Sequence, residues 1–425
     1  MCILIYPLCI LIYREWGRCE HFQERRLSEL TIETLKTLLY QAEDEVAALG
    51  ENVCDTIFKN PELGDQEFFS AKYLTDEMAK LGFSVTMPYC GVETAFRCEF
   101  GDDEGPKVAF LAEYDALPGY GALKNENGHA CGHNWIAGST FAACAALQKV
   151  KEHFKGKIVF IGTPAEETDG RKIDIMNAGG FDDLDAAFQL HLSSYNAVDC
   201  VALACTDVTF EFIGKAVHAS SRPEDGINAL DACNLTFAGV NALRQHVSSD
   251  VRIHGIIKEG GAACNTVPDQ CSMQLFVRAA DKDYLENVVE RVVNCAKGAE
   301  LMTGAKLIWR RAQNTFYDYK VIPELQEKLK NNMIAQGVEG FVTEDIYHSG
   351  STDIGNVSYA CPTSYGYLGT SAITDAQPHD VAYLDIVNSP FAYDLLHKGA
   401  KAMAATAIDV YCDEAFRAKI KQSIR

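Results

Sequence analysis

The chain is predicted to fold as an α/β protein: a largely parallel sheet flanked by helices, with a smaller α+β unit inserted into it. Three observations carry that prediction. Residues 108–112, 157–162 and 186–190 are short, nearly continuous apolar runs, as expected of strands covered on both faces, and each ends in acids or an imidazole. Between 206 and 314 the pattern instead reads strand, helix, strand, strand, helix, strand, the split order of a ferredoxin-like unit. At 425 residues the chain also exceeds what one core ordinarily serves. The expected divisions are an extension at 1–29, a main domain at 30–205, the insertion at 206–314 and a return to the main domain at 315–425.

Element by element, Leu35, Leu38, Leu39, Ala42, Val46 and Leu49 recur at helical spacing, which predicts a helix over 31–50 ending at Gly50. Val53, Ile57 and Phe58 form a second apolar pattern that stops at Asn60-Pro61. A helix over 66–81 closes at Gly82, and strands follow at 83–87 and 95–100. The run 108–112 delivers Glu113-Tyr114-Asp115-Ala116-Leu117-Pro118 at its C-terminal end, where open α/β sheets keep their ligands. Residues 135–150 read as an Ala-rich helix. The strand at 157–162 leads into Thr163-Pro164-Ala165-Glu166-Glu167, and the strand at 186–190 leads to His191. The insertion holds strands at 208–213, 251–258, 270–277 and 306–310 and helices at 226–246 and 284–300. The main domain resumes with a helix at 323–336, the segment 346–368 and a helix at 390–412.

Composition narrows the function. With 48% hydrophobic and 23% charged residues the chain is a soluble globular type, and a net charge of -21 excludes the basic face that nucleic acid requires. Sixteen cysteines are scattered without a repeating spacing, which suits free thiols in a reducing, cytoplasmic setting. Residues 1–13 are apolar but are interrupted by Pro7 and fall short of the roughly 20 residues a spanning helix needs, so no stable membrane insertion is expected.

The chemistry concentrates in His129-Ala130-Cys131-Gly132-His133-Asn134. A thiolate and an imidazole two positions apart, at a turn, make a natural pair of zinc ligands. Glu166 and Glu167 are adjacent, so on extended chain one can bind metal while the other serves as general base. By themselves such residues are as readily an acidic turn, a buried cysteine or a core histidine. His191 and His379, the latter in a polar loop, are further ligand candidates. His218 follows the insertion's first strand and would act on substrate, and His348 is a weaker candidate.

The segments 113–118, 129–134, 163–167, Gly214 to Ala219 and Asn265-Thr266-Val267-Pro268-Asp269 occur in the order and at the intervals of the M20 metallopeptidases. They resemble the amidohydrolase branch that includes aminoacylase-like, aminobenzoyl-glutamate-hydrolysing and β-alanyl-dipeptide-hydrolysing members, over roughly residues 30 to 412. The resemblance implies a zinc-peptidase-like catalytic domain and an inserted lid and dimerisation domain. It implies two divalent metal ions, zinc by the thiolate or else manganese or nickel, held by Cys131, His133, Glu167, His191 and His379. Cys131 stands where other members use a bridging aspartate. It further implies Glu166 as general base, Asp115 orienting the metal site, His218 reaching a partner subunit's site in a homodimer, and Asn265 and Arg278 binding a small amide substrate. The chain departs from the family at His379, followed by Asp380-Val381 in place of Ser/Thr-Pro, and at Glu113, where Asp is common. Two other readings stand beside a metal-dependent amidohydrolase: a cysteine hydrolase with Cys131 as nucleophile, and a metal-binding protein without turnover.

Overall fold

The computed structural model describes residues 30–345 and 349–424. The extension at 1–29 and His348 lie outside the described residues. In chain order the main domain begins with α1 (Ile32–Phe58), α2 (Phe68–Lys80), β1 (Ser84–Thr86), β2 (Phe96–Gly101) and β3 (Lys107–Ala112). A small hairpin, β4 (Leu117–Tyr120) and β5 (Glu126–Gly128), precedes α3 (His133–Lys149). Then come β6 (Lys157–Gly162), α4 (Arg171–Asn177) and β7 (Ala186–Ser193).

The second body runs β8 (Ala204–Ile213), α5 (Ala229–Leu243), β9 (Arg252–Glu259), β10 (Gln270–Ala279), α6 (Lys282–Thr303) and β11 (Lys306–Arg310). The chain returns through α7 (Pro323–Ala335), α8 (Ile354–Ala360), β12 (Thr363–Gly369), α9 (Pro390–Cys412) and α10 (Glu414–Gln422). The main sheet has the order β1-β2-β6-β3-β7-β12. Strands β6, β3, β7 and β12 are parallel, while β2 and β1 are antiparallel additions at one edge.

Both faces of this sheet are covered, which is why its strands read as unbroken apolar runs. Along β3, Val108, Phe110 and Ala112 pack into one core with Trp135 and Phe141 of α3 and the buried faces of α1 and α9. Ala109 and Leu111 point the other way, into a core with Ile175 of α4 and Ile354 and Val357 of α8. The second sheet, in the order β11-β8-β10-β9, is antiparallel throughout and has its own core, including Phe210, Met273, Val289 and Val292.

One expected boundary is corrected. The first helix does not end at Gly50 but continues to Phe58. Gly50 marks a crossing instead: a Cβ there would lie 2.9 Å from Ala142 Cβ, and one on Gly138 of α3 would lie 2.8 Å from the Gly50 carbonyl oxygen. The two glycines let α1 and α3 touch backbone to backbone. His191 also differs slightly from expectation, lying inside β7 rather than after it.

Candidate metal centre

The centre forms where β3, β6 and β7 end and α3 begins. Gly132 caps α3 with φ 90°, a left-handed turn that a side chain would strain, so that His133 becomes the first residue of the helix directly after Cys131 and its glycine. Both side chains are buried. Asp115, just beyond β3, accepts from His133 Nδ1 at 2.8 Å and from the Glu167 backbone N–H at 3.0 Å. The bond fixes the ring so that Nε2 faces inward.

Beyond β6 the chain turns through Ala165 at φ 57°, a conformation sparsely used by non-glycine residues. Its N–H donates to Glu67 Oε1 at 2.8 Å, and Glu67 is wholly buried. That turn presents Glu166 and Glu167 to the cleft. His379, also left-handed at φ 76°, is tied to the ligand loop: its N–H donates to the Ala130 carbonyl at 2.9 Å, and Tyr120 donates its hydroxyl to the His379 carbonyl at 2.8 Å.

The side chains then converge. Cys131 Sγ lies 3.3 Å from His191 Nε2, and His379 Nε2 lies 3.1 Å from Glu167 Oε1. Three overlapping groups, Cys131/His133/His191, Cys131/Glu167/His379 and His133/Glu166/Glu167, each bring their ligand atoms within 4.8 Å of one another. His133 Nε2 and Glu167 Oε1 are buried, 4.0 Å apart, and lack a hydrogen-bond partner of proper geometry. Polar atoms left this way are costly unless something else satisfies them, and two donors aimed at a common point suit a cation. Burial pushes the Cys131 thiol well up, so a cation at its sulfur is what would hold it as thiolate. Burial, then His133 beside it, pushes His191 down to about 4, which leaves it a neutral ligand. The donor set therefore fits divalent metal.

Glu166 shares the cleft with these groups, and its carboxyl is raised well above the ordinary range, first by burial and then by Glu113, Glu167 and Asp353. Arg278, on β10 of the second body, lines the same cleft and donates to Ser351 Oγ at 2.7 Å. Tyr195 and Tyr367 form an aromatic wall beside His191. His218 and Asn265 are placed elsewhere. Both are exposed, on adjoining loops of the second body where His218 bridges Thr266 and the Ala219 N–H donates to the Asn265 carbonyl at 2.9 Å. Neither belongs to the ligand groups or the cleft wall formed by the described residues.

Sequence reasoning missed a buried charge network behind the centre. Lys172 of α4 donates to Glu113 Oε1 at 2.5 Å and to Asp353 Oδ1 at 2.6 Å, and Gln189 donates to the same Glu113 oxygen at 2.8 Å. Burial opposes a charge on Lys172, but Asp353, Glu113 and Glu166 outweigh it and hold the ammonium above its usual range. Nothing in the local sequence distinguishes this lysine from a surface one. Only the apolar Ile173 and Ile175 beside it hint at an inward face.

Comparison with known proteins places the chain in a family. Residues 109–409 match the pattern of Peptidase family M20/M25/M40. The chain is 36% identical over 404 residues to the Xaa-Arg dipeptidase of Mus musculus, covering 90% of each. It is 27% identical over 438 residues to one of the chains of the p-aminobenzoyl-glutamate hydrolase of Escherichia coli strain K12, covering 87% of this chain and 91% of that one. Among solved structures, an aminobenzoyl-glutamate utilization protein of Klebsiella pneumoniae superposes with a TM-score of 0.68 at 19% identity, over 88% of this chain and 99% of that one. A dinuclear metal-binding M20 peptidase of Bacillus subtilis superposes with a TM-score of 0.64 at 19% identity, over 87% and 99%. At such identities the two structures speak to the fold alone.

Proposed function

Because this chain belongs to peptidase family M20/M25/M40 and is a hydrolase of amide or peptide bonds, we propose that it cleaves a dipeptide or N-acyl amino acid with Glu166 as general base beside two divalent metal ions. The observation that carries the reading is the convergence of Cys131, His133, His191, Glu167 and His379 in overlapping ligand groups, with Glu166 alongside. Bound ions, zinc by the thiolate or else manganese or nickel, would polarise the amide carbonyl and make water acidic near neutral pH. Asp115 holds His133 and the Glu167 backbone in register. Glu166 takes the proton from the attacking water and delivers it to the leaving amine.

Arg278 is the group that grips a substrate carboxylate across the cleft. The likeness to an Xaa-Arg dipeptidase puts dipeptides with a C-terminal arginine first among substrates to try. His218 and Asn265, exposed and apart from this chain's cleft, are proposed to serve the site of a second copy, with the second body acting as lid and dimerisation domain. The described cysteines are free thiols, which supports a reducing, cytoplasmic setting. Among the described residues no helix is long and apolar enough to cross a membrane.

The test is metal content and turnover measured together, on dipeptides ending in Arg or Lys, N-acetyl amino acids and p-aminobenzoyl-glutamate. Wild type is expected to carry about two equivalents of metal and to lose activity in chelator. Glu166→Gln is expected to keep the metal and lose roughly 100- to 10,000-fold in kcat. Turnover that survives chelator but not thiol alkylation would transfer the chemistry to a Cys131–His191 pair. Metal retained with no turnover on any substrate would favour a silent binding protein.

A further inference from the structure

Lys172 is 0% exposed, although it is a charged residue in the first turn of a short surface-connected helix. It is fixed at two points. Its ammonium bridges Glu113 and Asp353, and its backbone N–H donates to the second Asp353 oxygen at 3.2 Å. Glu113 in turn faces the centre, with Oε2 3.4 Å from His133 Nε2. Glu166 completes the arrangement: carboxylate oxygens of Glu113, Glu166 and Asp353 all lie within 4.8 Å of one another.

Three carboxylates at that spacing repel strongly where water is scarce, and the repulsion is relieved by a cation among them, by a proton on one of them or by one of them swinging away. Glu113 and Asp353 are themselves buried and held by hydrogen bonds, whereas Glu166 borders the open cleft. We propose that Lys172 is a positioning residue for hydrolysis: by bridging Glu113 and Asp353 it offsets their charge behind Glu166 and keeps the Glu166 carboxylate turned toward the reacting water. This rests on the reading of Glu166 as general base. It predicts an effect on the chemical step and not on substrate capture, because Lys172 is absent from the cleft wall.

The experiment compares Lys172→Met, Lys172→Met/Asp353→Asn and Glu166→Gln, using the best-cleaved member of the substrate panel and measuring kcat, KM and bound metal. Lys172→Met is expected to lower kcat by about 100-fold, with KM within about threefold and metal content unchanged, as loss of a positioned base predicts. Removing one carboxylate as well should restore at least about tenfold of that loss, because the charge behind Glu166 is again balanced. An unchanged kcat in Lys172→Met overturns the inference, as does a double variant no better than the single. If Lys172→Met does not fold, Asp353→Asn decides. It frees the ammonium to pair with Glu166, and kcat should fall at constant KM and metal content, whereas an unaffected kcat overturns the proposal. A fully active Glu166→Gln would instead overturn the parent reading. An inactive Glu166→Gln beside an unimpaired Lys172→Met sinks only this inference.

Discussion

Asp115 receives two donors, His133 Nδ1–H and the Glu167 N–H, one on each carboxylate oxygen. An asparagine has only one acceptor oxygen, so Asp115→Asn strands a donor on one side and lets a ligand rotate. Metal affinity should fall by roughly 10- to 100-fold, measured by chelator competition, with the fold intact by circular dichroism. The candidate ligands could be named from sequence, because Cys131 and His133 flank a glycine and Glu166-Glu167 follow a buried strand, and the structure brings their side chains together. Lys172, Asp353 and Glu67 were not. A buried charge is distinguished by distant partners, such as Glu113 across the sheet from Lys172, and no local pattern records these.

At the scale of elements, the parallel strands were legible because alternate residues of β3 and β6 enter two different cores, leaving no polar face. The α1–α3 crossing was not, since a glycine that ends a helix and one that admits a neighbour look alike in a sequence. Gly138→Val would drive a side chain into the Gly50 carbonyl and Cys54, and should destabilise by about 1–3 kcal/mol or more, seen as a lowered Tm. A second contact, between α1 and α9, titrates. His397 donates from both ring nitrogens, to Glu43 at 2.8 Å and Glu51 at 3.0 Å. Burial alone would lower its pKa, but the two carboxylates outweigh this and raise it above the ordinary value. The contribution is therefore complete below about pH 6.5, the unfolded value, and is lost as pH rises through the higher folded one. Thermal stability should decline over that rise, and His397→Gln should flatten the decline.

For the whole molecule, the order of motifs predicts an insertion, and the structure has a second sheet with its own core over that stretch, but no sequence shows which site that sheet serves. If His218 reaches a second copy, then His218→Ala and Glu166→Gln, each nearly inactive alone, should complement on mixing after subunit exchange. The mixture would approach about a quarter of wild-type turnover, since half the dimers are mixed and one site in each is intact. No recovery, with exchange verified by mass, would return His218 to its own chain. The contact between Glu167 and His379, with the His379 N–H on the Ala130 carbonyl, joins the middle of the polypeptide to a point near its end. A ribosome must therefore have released nearly the whole chain before the Cys131/Glu167/His379 group can exist. Fragments cut short before residue 379 would retain the thiol and the central imidazoles yet never close the centre, so completion of synthesis itself gates the acquisition of function.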